Sequence, residues 1–256
     1  ALGITTPAGL IVHTGDYKFD HTPADGWPPD FAKIAEFSQR GVLCLLADST
    51  NADRPGWTKS EKEIEVAFED MFREAPGRII VASFASLISR IQLVADTAAK
   101  HNRYLAITGR SMRDNTKMAM ELGYLDIDEA TLIDISDISS LPPQRVVIMA
   151  TGSQGEPSAV MGRLARGNHN RLQIEEDDTV VLSAHAIPGN EELIYRTINQ
   201  LFRRGANVLY ENIADVHVSG HASQEEMKLM INLVRPQYLM PIHGELRHLK
   251  QHGVMA

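Results

Sequence analysis

Asp16 stands in the run Thr14-Gly15-Asp16-Tyr17-Lys18-Phe19-Asp20, directly after the apolar stretch Leu10 to His13. A carboxylate on a glycine turn just past a strand end holds its oxygens at a fixed height above a sheet. Such oxygens can ligate a divalent metal, although the same residues also make an Asx-turn that only caps the strand. Asp48, in Ala47-Asp48-Ser49-Thr50-Asn51, follows a second apolar run. Ligands in open α/β sheets collect outside the carboxyl ends of strands, so these small polar residues read equally as a site or as turn chemistry. A third run, Val216-His217-Val218-Ser219-Gly220-His221-Ala222-Ser223, leads into an amphipathic segment. Ser219, Gly220 and the helix N-terminus would offer N–H groups and a favourable dipole to an anion, with His221 beside them as cation or proton donor. The plainer reading is an N-cap with incidental histidines, and two histidines around a Ser-Gly pair weigh against it. The fourth run, Met240-Pro241-Ile242-His243-Gly244-Glu245, puts a single histidine at a strand end, where it is informative only with company.

Ser83 to Ser86 and Thr151 to Pro157 are weaker, small-residue turns between a strand and a helix that could cradle phosphate. Neither matches GxxxxGK[ST] or GxGxxG, so a nucleotide reading has no support. His101, His169 and His185 read as solvated or structural, and Cys44, inside Val42 to Leu46, reads as core.

These runs require a scaffold of alternating strands and helices. Strands are expected at 9–13, 42–47, 78–82, 104–108, 145–150, 179–183, 207–210 and 237–241, with a short one at 131–135. Helices are expected at 60–74, 87–101, 115–122, 158–165, 190–203 and 224–234, with a further helical segment from Leu246. Ser60 and Glu63 have capping-box spacing, Pro76-Gly77 closes the first of these helices, and Arg235-Pro236 closes that over 224–234. The segments 21–29 and 126–143 are irregular, and neither looks like a flexible linker. The alternation is that of βα units around a mainly parallel sheet.

A chain of 256 residues that is 43% hydrophobic excludes disorder, and a lone cysteine excludes a disulfide scaffold and fits a reducing, cytoplasmic setting. No apolar stretch approaches the roughly 20 residues that span a bilayer. The 25 basic against 33 acidic residues give a net charge of −8, mildly against nucleic acid on the scale of the whole surface. Local amides, histidines and metal ions can nonetheless hold RNA on an acidic protein. The chain opens on Ala1 and reaches a strand-like run almost at once, which reads as a piece of something larger.

Taken in order, Thr14 to Asp20, Ala47 to Asn51, Ser219 to Ser223 and Pro241 to Glu245 resemble the signature of the ribonuclease J group, RNA-processing enzymes of the metallo-β-lactamase fold with a β-CASP domain. The 22-residue spacing of His221 and His243 is similar to the family's, as are the turns Phe84-Ala85-Ser86, Gly155-Glu156-Pro157 and Ile187-Pro188-Gly189-Asn190-Glu191. The resemblance implies an α/β fold: a partial metallo-β-lactamase αββα sandwich over 1–58 and 223–256, with a doubly wound β-CASP domain inserted over 59–222. It implies a hydrolase cutting RNA phosphodiesters, endonucleolytically and from the 5′ end, in RNA processing and decay. It also implies two Zn2+ ions in the complete active site, and a complete protein that is a cytoplasmic homo-oligomer, a dimer or tetramer.

By the same resemblance, Asp16 and His243 match metal ligands. Asp48 matches a supporting carboxylate and His221 a catalytic histidine at the scissile phosphate. The stretch His217, Val218, Ser219, Gly220 and His221 matches a backbone segment that holds RNA phosphate, and Ser86, Leu87 and Ile88 match a second. Family members often carry Asn where Leu87 stands. No His-x-His-x-Asp-His run occurs in these residues, so two metal ligands are present where zinc takes three or four. The alternatives are therefore a chain inactive by itself that belongs to a ribonuclease, and a non-catalytic RNA- or phosphate-binding module.

Overall fold

The apolar runs form ten strands in two sheets among the residues that the computed structural model describes: 1–23, 26–187, 189–211 and 213–256. The chain divides into two compact units, Ala1–Glu61 with Val218–Ala256, and Lys62–His217.

The first unit carries the four-stranded sheet β1-β2-β3-β10, built from β1 (Leu2–Thr6), β2 (Gly9–His13), β3 (Val42–Asp48) and β10 (Tyr238–Ile242). β1 and β2 form an antiparallel hairpin, whereas β2 with β3 and β3 with β10 are parallel. Helices α1 (Phe31–Gln39) and α7 (Gln224–Val234) cover one face. Leu10, Val12, Phe19, Val42, Leu45, Ala47, Met230 and Val234 form its core, with Phe31, Ile34 and Phe37 of α1 packed against them. The parallel register brings three strand ends together. His13 lies opposite Leu46 and Ile242 opposite Asp48, so the segments leaving β2, β3 and β10 emerge side by side at one sheet edge.

Two elements of this unit were not foreseen. β1 shows no buried alternation, its pattern being exposed at four of five positions, so the period-2 signal was absent. Helix α1 follows the Pro-rich segment directly, and Asp30 caps it by accepting the N–H of Lys33 at 2.9 Å.

The second unit holds a fully parallel sheet in the order β6-β5-β7-β4-β8-β9. Its strands are β4 (Ile79–Ala82), β5 (Tyr104–Ile107), β6 (Leu132–Ile133), β7 (Val146–Ala150), β8 (Thr179–Leu182) and β9 (Asn207–Tyr210). The helices alternate with them: α2 (Glu61–Glu74), α3 (Ile88–Lys100), α4 (Arg110–Glu121), α5 (Val160–Arg166) and α6 (Glu191–Phe202). Residues of β4, β7 and β8 are buried throughout, as expected of strands covered on both faces. At the start of α2 the N–H of Glu61 goes to the Asp20 carboxylate, 2.9 Å, and the Ser60 hydroxyl bonds Thr22. α4 begins at Arg110, five residues before the expected start, on Gly109 at φ 98°. The strand expected at 131–135 shrinks to Leu132–Ile133. Of the turn Ile187 to Glu191, Pro188 lies outside the described residues. Cys44 is half-buried within β3 and unpaired. No helix among the described residues is long and apolar enough to cross a membrane. The α/β class with parallel sheets is as expected, and agrees with a partial metallo-β-lactamase fold.

Candidate metal and proton-transfer site

At the edge where β2, β3 and β10 end, one oxygen of Asp16, one of Asp48 and one ring nitrogen of His221 lie within 4.8 Å of one another, the one such acidic and histidine cluster among the described residues. His243 joins them, with Nε2 3.9 Å from Asp16 Oδ1 and its ring centroid 5.4 Å from that of His221. All four belong to the first unit. His243 takes φ 56° and the following Gly244 φ 108°. A left-handed non-glycine residue is strained and persists where its surroundings over-determine it.

Asp48 organises the group. It is 1% exposed. Its Oδ2 lies 2.7 Å from His221 Nδ1, and its Oδ1 accepts from the N–H and the hydroxyl of Thr50, at 3.0 and 2.7 Å. Burial by itself would raise its pKa, but the bonds from His221 and Thr50, with the histidine's charge, outweigh burial and hold the carboxyl below its usual range. The bond to Asp48 raises the pKa of His221 against the opposing effect of burial, with the charges of Asp48 and Asp16 adding to the rise.

The proton count then fixes the ring faces. His221 donates from Nδ1 to Asp48, so in the charged ring, the form that Asp48 and Asp16 favour, Nε2 carries the proton that can be handed outward. The Thr50 hydroxyl has one proton, given to Asp48. The Thr50 contact with His243 Nδ1, 3.2 Å, is therefore a bond donated by the ring, so that in the neutral ring Nε2 is the lone pair facing Asp16. A lone pair and a carboxylate oxygen 3.9 Å apart are both within reach of one zinc ion at about 2.0–2.2 Å each. The donor set fits that metal, and these two residues would hold it.

The surrounding segments are tied by buried polar groups. The Asp48 N–H donates to Thr14 Oγ1 at 3.1 Å, and Thr14 N–H donates to the Leu46 carbonyl at 3.0 Å, which couples the Asp16 turn to β3. Glu226, fully buried in α7, accepts backbone N–H groups from Phe19 at 2.7 Å, Thr58 at 2.8 Å and Ser223 at 2.9 Å. The Asn51 amide donates to Ser219 Oγ and to the His221 carbonyl, and Thr58 Oγ1 donates to the same carbonyl. Sequence reasoning missed Glu226, although Ser223-x-x-Glu226 is a capping-box spacing.

The anion expectation for the start of α7 needs correction. The N–H groups of Ser223, Gln224 and Glu225 go to Glu226, the Arg54 carbonyl and the Gly56 carbonyl, and that of His221 goes to Ser219 Oγ. Those donors are spent inside the protein. In the second unit, Leu87 and Ile88 likewise donate within their own turn, to Phe84 and Ser86 carbonyls. His217 closes the second unit, where its ring stacks on that of His185 at 6.3 Å, and Val218 opens the return to the first.

Comparison with known proteins places this geometry. Residues 76–201 match the model of the ribonuclease J β-CASP domain, and residues 205–254 match that of the Zn-dependent metallo-hydrolase RNA specificity domain. The chain is 50% identical to ribonuclease J of Thermus thermophilus over 96% of its length and 43% of that protein's. It is 45% identical to ribonuclease J of Synechocystis sp. over 100% of its length and 40% of that protein's. It is also 45% identical to ribonuclease J2 of Bacillus subtilis over 98% and 45%. An α/β protein with an acid and histidine cluster at the carboxyl edge of a sheet defines the class, and within it the chain belongs to the ribonuclease J family. It spans about two fifths of the length of the curated relatives it matches.

Proposed function

We propose that the complete protein is a zinc-dependent ribonuclease hydrolysing RNA phosphodiesters, as endonuclease and from the 5′ end, in RNA processing and decay. In this reading residues 59–222 are its β-CASP domain, and 1–58 and 223–256 belong to its metallo-β-lactamase domain. The observation that carries it is the pairing of a lone-pair face on His243 with Asp16, beside a His221 whose Nε2 is free to give up a proton.

Zinc held by Asp16 and His243, with ligands from elsewhere in the complete protein, would supply charge neutralisation at the phosphate and an acidified water; two ions complete the site. The chain's own residues do the rest. His221 protonates the leaving oxygen from Nε2, and Asp48 holds the ring and stabilises its charged form. The stretch His217 to His221 and the turn Ser86, Leu87 and Ile88 contact the RNA backbone. Because the Leu87 and Ile88 amides are used in their own turn, Ser86 and the shape of the turn carry that contact. The complete protein is a cytoplasmic dimer or tetramer, which sedimentation checks.

The test is hydrolysis of 5′-labelled RNA by the complete protein. His221→Ala lowers kcat by about 10²–10⁴-fold, and Asp16→Ala abolishes it; full activity in both variants would refute the reading. A second reading concerns the chain alone, as a non-catalytic RNA- or phosphate-binding module. It is favoured by the mutual bonding of Asp48 and His221, which leaves Asp16 and His243 as the ligands on hand. Calorimetric zinc titration of the chain decides it: tight uptake of two ions contradicts the module.

A further inference from the structure

The last helix, α8 (Leu246–Met255), buries a face of unusual make-up. Its buried residues are His248 and His252, four apart on one side, while Leu246 and Val254 are exposed. His248 has clear partners. Its Nδ1 accepts the Glu245 N–H at 3.1 Å, starting the helix, and its Nε2 lies 3.3 Å from Asp53 Oδ2. His252 is fully buried, with Nδ1 2.9 Å from Ser49 Oγ and Nε2 without a partner. An unpartnered buried ring nitrogen is unfavourable, and an aromatic hydrocarbon would fill the same space without it. Space-filling alone does not account for a histidine here.

The proton count supplies the reason. The Ser49 hydroxyl has one proton and lies 3.2 Å from the Ala47 carbonyl as well as against His252. If the hydroxyl donated to the ring, Nε2 would carry a buried N–H with nowhere to go. If it donates to Ala47, His252 donates from Nδ1 and Nε2 is a bare lone pair, the lesser cost. Burial keeps the ring neutral against the pull of the Asp48 charge, in keeping with this tautomer. The relay from His252 to Ser49 to the Ala47 carbonyl spans the peptides on both sides of Asp48. Asp48, Ser49 and Thr50 thus each meet a different histidine, namely His221, His252 and His243.

We propose that His252 is a positioning residue, whose Nδ1–H acts through Ser49 to fix the β3 terminus so that Asp48 and Thr50 aim His221 and His243 outward through their Nε2 atoms. The catalytic consequence rests on the ribonuclease reading above; the positioning itself does not. Both are tested on the complete protein labelled with 15N-histidine, comparing His252→Phe, which keeps the ring's shape, with His252→Asn, which restores a donor near the Nδ1 position. His252→Phe is expected to move the ring 15N signals of His221 and His243 and to lower kcat about ten- to a hundredfold with KM within about twofold. His252→Asn recovers most of both. A folded His252→Phe protein with both signals and kcat unchanged overturns the proposal, since a residue that only fills space is replaced by Phe without effect. Should His252→Phe fail to fold, Ser49→Ala cuts the relay at its other end, and unmoved signals there overturn the proposal equally. If the wild-type protein cleaves no RNA, the ribonuclease reading fails while the 15N signals still decide the positioning.

Discussion

The sheet of Lys62–His217 is buried at every position of β4, β7 and β8, whereas the sheet that carries the histidine cluster buries only alternate residues of β2 and exposes Tyr238 and Met240 of β10. The larger unit is held by apolar contact. Its core joins strand residues such as Ile80, Ile148 and Val180 to Leu164 of α5 and Leu201 of α6. Its buried ion pair, Arg78 with Asp178 at 2.8 and 2.6 Å, ties the chain before β4 to that before β8, at the opposite end of the strands from the turns beyond their carboxyl ends. In the smaller unit the buried polar groups converge on the site instead. Glu226 gathers three segments, Thr14 joins two strand ends, and Asp48 and Ser49 each hold a histidine. Apolar burial is non-directional and fixes a fold, while hydrogen bonds fix angles. A site whose chemistry depends on which ring nitrogen faces outward requires the second kind of support.

The difference can be tested by removing one support of each kind. Glu226→Ala strips the acceptor from three backbone N–H groups, which at roughly 1–3 kcal/mol for each orphaned donor gives a loss of about 3–9 kcal/mol. Glu226→Gln, with a single carbonyl oxygen, falls between. Denaturant melts should show that loss in the smaller unit; a cost under about 1 kcal/mol would mean that the polar network is not its main support. Ile148→Ala, in the fully buried β7, leaves a cavity and costs about 2–5 kcal/mol, read in the same melts. That variant leaves the ring 15N signals of His221 and His243 in place, whereas Glu226→Ala moves them.

The same contrast explains what could be read from the sequence. Continuous apolar runs announced β4, β7 and β8 because a strand covered on both faces needs no polar alternation, and their bounds came out within a residue. β1 was invisible because it is largely exposed, and α1 because Pro28 and Pro29 read as loop although Asp30 then caps a helix. At the site, Asp16, Asp48, His221 and His243 were singled out by type, and the structure brings these four together. The supports escaped notice. Glu226 and His252 lie 178 and 203 residues from Asp48 and Ser49, a range at which no local pattern speaks. Of the amides expected to bind an anion, those at the helix start were assigned from the helix pattern, and only three-dimensional packing shows that Arg54, Gly56 and Glu226 already accept from them.

A smaller effect of opposite sign sharpens the contrast. The Tyr17 hydroxyl is buried with no hydrogen-bond partner, and burial together with the charges of Asp48 and Glu226 pushes its pKa far up. The hydroxyl bonds none of the described residues, so Tyr17→Phe stabilises the protein by about 1 kcal/mol or leaves it unchanged. A loss of more than about 1 kcal/mol in melts would show that the hydroxyl has a partner after all.

The smallest effect is a pH dependence in the larger unit. Burial lowers the pKa of His169 from its ordinary 6.5, and the charges of Arg163 and Arg171 add to the shift. Its Nδ1 accepts the Leu172 N–H at 3.1 Å, which requires a bare lone pair. In the unfolded chain the ring takes up a proton near 6.5, while in the folded protein it resists until lower pH. Over that interval the unfolded state binds more protons, so stability is complete above 6.5 and declines as the pH falls from there toward the depressed value. His252, lowered in the same way by burial, contributes with the same sign. His169→Asn keeps an acceptor for Leu172 and removes the titration. Melts at a series of pH values should therefore show a shallower acid slope in the variant than in the wild type; parallel slopes would remove His169 as a source of the larger unit's pH dependence.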